Sequence, residues 1–329
     1  MITLRRTKLD PSWQAIVGQA GGDTARDAVR VLVLKAEGST PRAAGAAMVV
    51  FADDQCGTIG GGRLEFEAAK RARSLLAEDA RPWRRHVEAW PLGPNLGQCC
   101  GGHVTLLFEV TRADERRSLA AQLSETSEAV ALRRRHASGQ PPELVTVAAA
   151  SDSPIVVSDS VVTEAISTPL TPLFLYGAGH VGRALADILQ PLDFEIVWVD
   201  IARERFPELD TEDDTILDIH RAIAERPDRI AAYAPDDAMH VVVTHDHALD
   251  LDICQAVLGR GRPRFLGLIG SETKAERFRR SLAKRGLSAD RIADLVCPIG
   301  LGQATNKHPH AIAIAVAAQL MEAGDAPSE

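Results

Sequence analysis

The sequence predicts a two-domain α/β protein, with a mixed α/β N-terminal half over residues 1–170 and a parallel-sheet C-terminal half over residues 171–329. Three observations carry this. The chain has 329 residues, enough for two domains that each bury a core. Its character changes near residue 170, after a proline- and serine-rich stretch ending in Ser167-Thr168-Pro169-Leu170-Thr171-Pro172. Beyond that point short apolar runs alternate with helical patterns, as in a parallel sheet covered on both faces.

In the first half, residues 29–36 (VRVLVLKA) and 46–52 (AAMVVFA) are β-rich runs joined by the turn-like EGSTPRAAG. The stretch RLEFEAAKRARSLLAE places Leu64, Ala68, Leu75 and Leu76 near one face of a helix. RHVEAW and HVTLLFEV read as strands flanking the loop PLGPNLGQCCGG. From Thr111 to about His136 the pattern reads as a charged helix, and 137–172 as peripheral strands with an interdomain connection. In the second half, LFLY, FEIVWVD, HVVVTH and RFLGLIG read as strands. Helices are expected over about 180–190, 248–258, 271–285 and 309–322.

Hydrophobic residues at 45% and charged residues at 25% give a globular profile. A net charge of −8 argues against a nucleic-acid partner, which needs a basic surface. The start, MITLRRTKLDPSW, has no apolar stretch of signal-peptide length. The longest apolar run, AIAIAVAAQLM, is too short to span a bilayer. A cytoplasmic location with no membrane partner is therefore expected. Cys56, Cys99, Cys100, Cys254 and Cys297 are too sparse for a disulfide framework and form no C-x-x-C pair, so reduced thiols are expected.

The chemistry concentrates in a few strings. Gly177-Ala178-Gly179-His180-Val181-Gly182 follows a strand and opens a helix, so its backbone can approach an anion at the helix N-terminus. Asp200 ends the next strand, where a carboxylate can accept from ribose hydroxyls. The turn is either such a cradle in a Rossmann-like domain or a tight scaffold turn without a ligand. Gly60-Gly61-Gly62 before a helix is a second anion cradle or a close-packed turn, with Arg42 and Arg63 near it in sequence. Cys99 and Cys100 are adjacent between Gly97-Gln98 and Gly101-Gly102. Thiolates there would be soft metal ligands or nucleophiles, whereas a free cysteine is ordinarily a small buried hydrophobe. Thr244-His245-Asp246-His247 with Asp250 invites a metal-hydrolase reading, set against a crevice-lining role at a strand end. The helix after Ser271 is strongly basic, with Ser271 or Thr273 as its cap, and most of its charge reads as a solvated face. Cys297 to Pro309 forms a glycine- and proline-bearing loop before the last helix.

Taken together, EGSTPRAAGAAMVV, GTIGGGRLE, LGQCCGG, LYGAGHVGRALA, VVTHDHALD, LGLIGSETKAERFRRSL, CPIGL and KHPHAIAIAVAAQL resemble the XdhC/CoxI family of accessory proteins, in order from about 30 to 321. The resemblance implies an N-terminal XdhC/CoxI-type mixed α/β domain and a C-terminal Rossmann-like domain. It implies a chaperone without turnover of its own. Such a protein binds molybdenum cofactor (molybdopterin), protects it while a cysteine desulfurase sulfurates it, and inserts it into apo xanthine dehydrogenase in purine catabolism. Molybdenum cofactor biosynthesis proteins are further implied partners, and a homo-oligomer is admitted. The resemblance places Cys99 and Cys100 at the cofactor, as possible molybdenum contacts. Gly60, Gly61, Gly62, Gly177, Gly179, Gly182, His180, Asp200 and His245, read from the glycine turns and strand ends, are the further expected cofactor-binding residues. The competing reading is an NAD(P)-dependent oxidoreductase built on the C-terminal domain. A third is a metal-dependent hydrolase at His245 and His247.

Overall fold

The computed structural model describes residues 4, 7–18, 26–78, 83–93, 101–124, 130–135, 139–146, 155–208, 215–216, 219–302 and 306–325. Among these residues the chain forms two compact units, one over Thr7–Pro169 and one from Leu170 onward that Leu4 also packs into.

The N-terminal unit is built on a five-stranded antiparallel sheet in the order β4-β3-β2-β6-β5. Its strands are β2 (Ala28–Glu37), β3 (Ala47–Val50), β4 (Gln55–Gly57), β5 (Arg85–Pro91) and β6 (His103–Thr111). The alternation in β2 sends Val29, Val31 and Val33 to one face, where helix α2 (Gly62–Ala77) covers them with Leu64, Ala68, Ala72 and Leu75. Leu32 and Leu34 face the other way and pack with Ile155 and Val162 of a second sheet. That sheet runs β8 (Glu143–Thr146), β7 (Val130–Arg135), β10 (Val161–Ala165) and β9 (Ile155–Ser158). Strand β1 (Thr7–Leu9) pairs with β11 (Ser167–Pro169), and helices α1 (Pro11–Gly18) and α3 (Ala113–Ser124) complete the unit.

The charged segment after Thr111 corrects the sequence reading. It is helical only to Ser124, and residues 130–135 are strand β7. The run VALRRR disguises the strand because Arg134 points inward, where it pairs with Glu164 and lies 3.3 Å from Glu109. Arg30 donates to Glu164 at 3.0 Å and Arg85 to Glu109 at 2.5 Å, so five buried charged side chains bridge the two sheets. Burial alone would raise Glu109 and Glu164. The guanidinium groups outweigh it and hold both carboxyls below their ordinary value.

The C-terminal unit carries a sheet in the order β14-β15-β13-β12-β16-β17-β18. The strands are β12 (Thr171–Tyr176), β13 (Phe194–Asp200), β14 (Thr215–Ile216), β15 (Ile219–Ile223), β16 (Met239–Val242), β17 (Phe265–Leu268) and β18 (Leu295–Val296). All pair in parallel except the short edge strand β14. Helices α4 (His180–Leu189) and α9 (Pro309–Asp325) cover one face, with Leu185, Leu189, Val316 and Leu320 against Leu173, Leu175 and Val241. Helices α6 (His247–Arg260) and α7 (Glu272–Lys284) contribute Ile253, Val257, Phe278 and Leu282 to the other. Short helices α5 (Pro227–Ile230) and α8 (Ala289–Ala293) fill the corners. Burial on both faces explains why these strands read as continuous apolar runs. The strand order is Rossmann-like and reverses direction between β12 and β16, which opens a crevice at the carboxyl ends of the strands. Among the described residues no helix is long and apolar enough to cross a membrane.

Candidate functional site

Antiparallel pairing in the N-terminal unit brings three distant loops to one end of its sheet. Glu37 at the end of β2 pairs with His103 at the start of β6, and His103 pairs with Pro91 at the end of β5. Gly57 at the end of β4 pairs with Met48 near the start of β3. The loops after Glu37, Gly57 and Pro91 therefore emerge together, and glycines fit them against one another. A Cβ on Gly102 would lie 2.4 Å from the Ser39 carbonyl oxygen, and one on Gly60 would lie 2.4 Å from Pro41 Cβ. The Gly102 N–H donates to Ser39 O at 3.1 Å, and its own carbonyl accepts from Leu92 at 2.9 Å. Cys99 and Cys100 fall in 94–100, outside the described residues. Gly101, directly after them in the sequence, is exposed, with nothing among the described residues within 4 Å of its Cβ position.

Gly60, Gly61 and Gly62 all have positive φ (125°, 72° and 64°), which explains why three glycines stand in a row. Their cradle is largely filled from within. Glu65 Oε2 accepts from Thr58 Oγ1 at 2.5 Å, from Ile59 N at 3.1 Å and from Gly61 N at 3.0 Å. Thr58 Oγ1 accepts from Gly60 N at 3.0 Å. A carboxylate in the first turn of α2 thus satisfies donors that a bound anion would otherwise take. Around this turn Arg42 and Arg63 are exposed and carry no ion pair among the described residues, and Phe66 is 67% exposed. Sequence reasoning missed Glu65. An acidic residue just inside a helix that opens on glycines was the available signal.

In the C-terminal unit the three glycines of the fingerprint have three separate roles. Gly177 (φ 114°) passes so close to the next strand that a Cβ would meet Val243 O at 2.7 Å. Gly182 lets α4 approach the turn, since a Cβ there would lie 2.0 Å from Gly177 O. Gly179 has nothing within 4 Å of its Cβ position and faces open space, with exposed His180 beginning α4 beside it. Asp200 is 7% exposed, and its oxygens accept from Ala178 N and Ile201 N, both at 2.6 Å. It braces the turn from behind, an occupation that the sequence position alone did not reveal. Arg205 Nε stands 3.4 Å from Asp200, and its Nη1 donates to His245 Nδ1 at 2.9 Å. His245, Thr244, Asp200 and Gly177 line the crevice together.

The structure does not assemble the His245–His247–Asp250 string into a ligand set. His247 Nδ1 accepts from Arg277 at 2.8 Å, on a separate side from His245. Asp246 caps α6 by accepting from Ala248 and Leu249, which lowers its carboxyl from the ordinary value. Asp250 is fully buried and accepts from Lys274 Nζ at 2.7 Å and Thr244 Oγ1 at 2.6 Å. Among the described residues no group of three His, Cys, Asp or Glu side chains is placed to hold a metal ion.

Residues 23–87 match the family model for the XdhC and CoxI family, and residues 173–320 match that for the XdhC Rossmann domain. The chain belongs to the XdhC and CoxI family. It is similar to the uncharacterized protein YqeB of Escherichia coli (strain K12), with 28% identity over 301 residues, 88% of this chain and 42% of that protein. The XdhC-family chain thus spans less than half the length of that curated relative. A crystal structure from Bacillus halodurans, described as a xanthine dehydrogenase, superposes with a TM-score of 0.70 over 97% of each chain. At 19% identity this is a likeness of fold.

Proposed function

We propose that this XdhC-family protein acts in xanthine dehydrogenase maturation, as a chaperone that receives molybdenum cofactor and hands it to the apo-dehydrogenase. The convergence of residues 38–46, 58–62, 92–93 and 101–102 at one end of the N-terminal sheet carries this reading. A molybdopterin cargo presents a phosphate, a flat polar ring and a metal held by sulfur. The loop end offers exposed Arg42 and Arg63, which carry no ion pair among the described residues, exposed Phe66 as an apolar plate, and exposed Gly101, which directly follows Cys99-Cys100 in the sequence.

In this reading Arg42 and Arg63 grip the phosphate, and Cys99 and Cys100 stand near the metal while a cysteine desulfurase supplies sulfur. Glu65 keeps the triglycine turn rigid, so that binding does not require the loop to be ordered anew. The protein acts by holding and releasing, in the cytoplasm, without catalysis of its own. Release matters as much as grip, because about 1.4 kcal/mol of extra affinity makes handover tenfold less favourable. Purification from cells that make the cofactor, followed by oxidation and pterin fluorescence, should give about one pterin per chain. The same preparation should activate apo xanthine dehydrogenase. Absence of both signals rejects the reading.

The open Gly179 supports a second reading, a nucleotide at the C-terminal crevice and with it NAD(P)-dependent redox chemistry. Calorimetry with NAD and NADP separates the two: no saturable heat with either cofactor eliminates it.

A further inference from the structure

Helix α7 carries Lys274, Arg277, Arg279, Arg280 and Lys284 on a chain whose net charge is −8. Four of these, Lys274, Arg277, Arg280 and Lys284, line a groove of about 510 Å³ together with His247 from the start of α6. The other lining groups are the hydroxyls of Ser271, Thr273 and Ser281, so among the described residues every side chain lining the groove can donate a hydrogen bond and none is acidic. Lys274 forms the floor. Its side chain is 10% exposed, and Nζ donates to Asp250 at 2.7 Å and to Ile269 O at 2.9 Å, which uses two of its three N–H groups. Arg280 shares its charge with Glu276 at 3.1 Å in full solvent. Arg277 and Lys284 have no carboxylate partner among the described residues, and Arg277 is held in place by His247.

We propose that this groove is a binding site for a small, multiply charged phosphate-type anion, separate from the glycine turn at 177–182. A tetrahedral oxyanion spreads its oxygens in three dimensions, so it can accept from an ammonium, a guanidinium fork and hydroxyls on different walls more fully than the two oxygens of a planar carboxylate. The volume suits a ligand of pyrophosphate to nucleotide size, and the negative total charge repels a polymeric polyanion at longer range. Thr244 connects the two places: its hydroxyl donates to Asp250, which holds Lys274. Two hydrogen bonds, Lys274–Asp250 and Thr244–Asp250, therefore link the floor of the groove to the crevice.

The test is calorimetric titration of the full chain with inorganic pyrophosphate at low and at physiological salt. The site should saturate at one per chain and weaken as salt rises. The double variant R277A/K284A, both positions exposed, should bind about tenfold or more weakly. G179V should bind as the wild type does. Absence of saturable binding overturns the proposal, as does an unchanged affinity in R277A/K284A. A loss confined to G179V moves the anion to the glycine turn and also overturns it. If a polyglutamate peptide binds through Arg277 and Lys284 while pyrophosphate does not, the groove serves an acidic protein segment instead. None of these outcomes depends on molybdenum cofactor, so failure here leaves the chaperone reading to its own assay.

Discussion

In the N-terminal unit the carboxylate of Glu65 reaches into the turn at 58–62 and accepts from Thr58, Ile59 and Gly61. In the C-terminal unit Asp200 stands behind the turn at 177–182 and accepts from one of its amides, that of Ala178. Glycine spacing made the two turns look like equivalent anion cradles. The first is filled by the chain's own acid, and the second is braced but open at Gly179. A glycine-rich turn thus shows where backbone can approach an anion, and the nearby carboxylates decide whether one is already there. The interiors differ too. Strand β12 is apolar on both faces, whereas the N-terminal sheets are bridged by Arg30, Arg85, Arg134, Glu109 and Glu164.

The largest effects should come from that network. Glu164→Gln leaves Arg30 and Arg134 under-neutralised in a buried site and should cost about 3–5 kcal/mol in urea unfolding of the N-terminal unit. The wild-type network also makes this unit acid-sensitive. Glu109 and Glu164 lie below their ordinary value of 4.5 when folded, so their contribution is intact above that pH and is lost as pH falls through the lower folded values. Stability measured from pH 7 down to pH 3 should decline only at the acid end, and a flat profile would contradict the network's role.

Next in size, Gly182→Ala forces a Cβ against the Gly177 carbonyl and should destabilise the C-terminal unit by about 3 kcal/mol, with the other unit unchanged. Glu65→Ala should cost about 1–2 kcal/mol by freeing the donors of Thr58, Ile59 and Gly61, and it should lower pterin retention because the loop loosens. Retention at the wild-type level would show that the turn does not support the site. The smallest stability effect belongs to Gly179→Val, within about 1 kcal/mol because open space surrounds the position, yet it should abolish any nucleotide binding at the crevice.

Much of this was legible in the sequence because period and punctuation agreed. FEIVWVD became β13, the basic run after Ser271 became α7 with Ser271 as its cap, and AIAIAVAAQLM lies in α9. The strand at 130–135 was hidden because its inward Arg134 is stabilised by Glu109 and Glu164, which stand far from it in the sequence on either side. The short strand Thr7–Leu9 was hidden because its partner is Ser167–Pro169, at the far end of the unit. At the site, motifs named the loops but gave no account of who faces whom. That Gly60 backs onto Pro41, that Gly102 backs onto Ser39, and that Asp200 turns inward follow from register and packing.

Pterin content per chain, compared between C99A/C100A and G179V after purification from cofactor-producing cells, tests the N-terminal site most directly. Loss in the cysteine variant with wild-type content in G179V is the expected result, with both proteins equally folded by circular dichroism. The opposite pattern would assign the cargo to the C-terminal crevice and contradict the account given for the three loops.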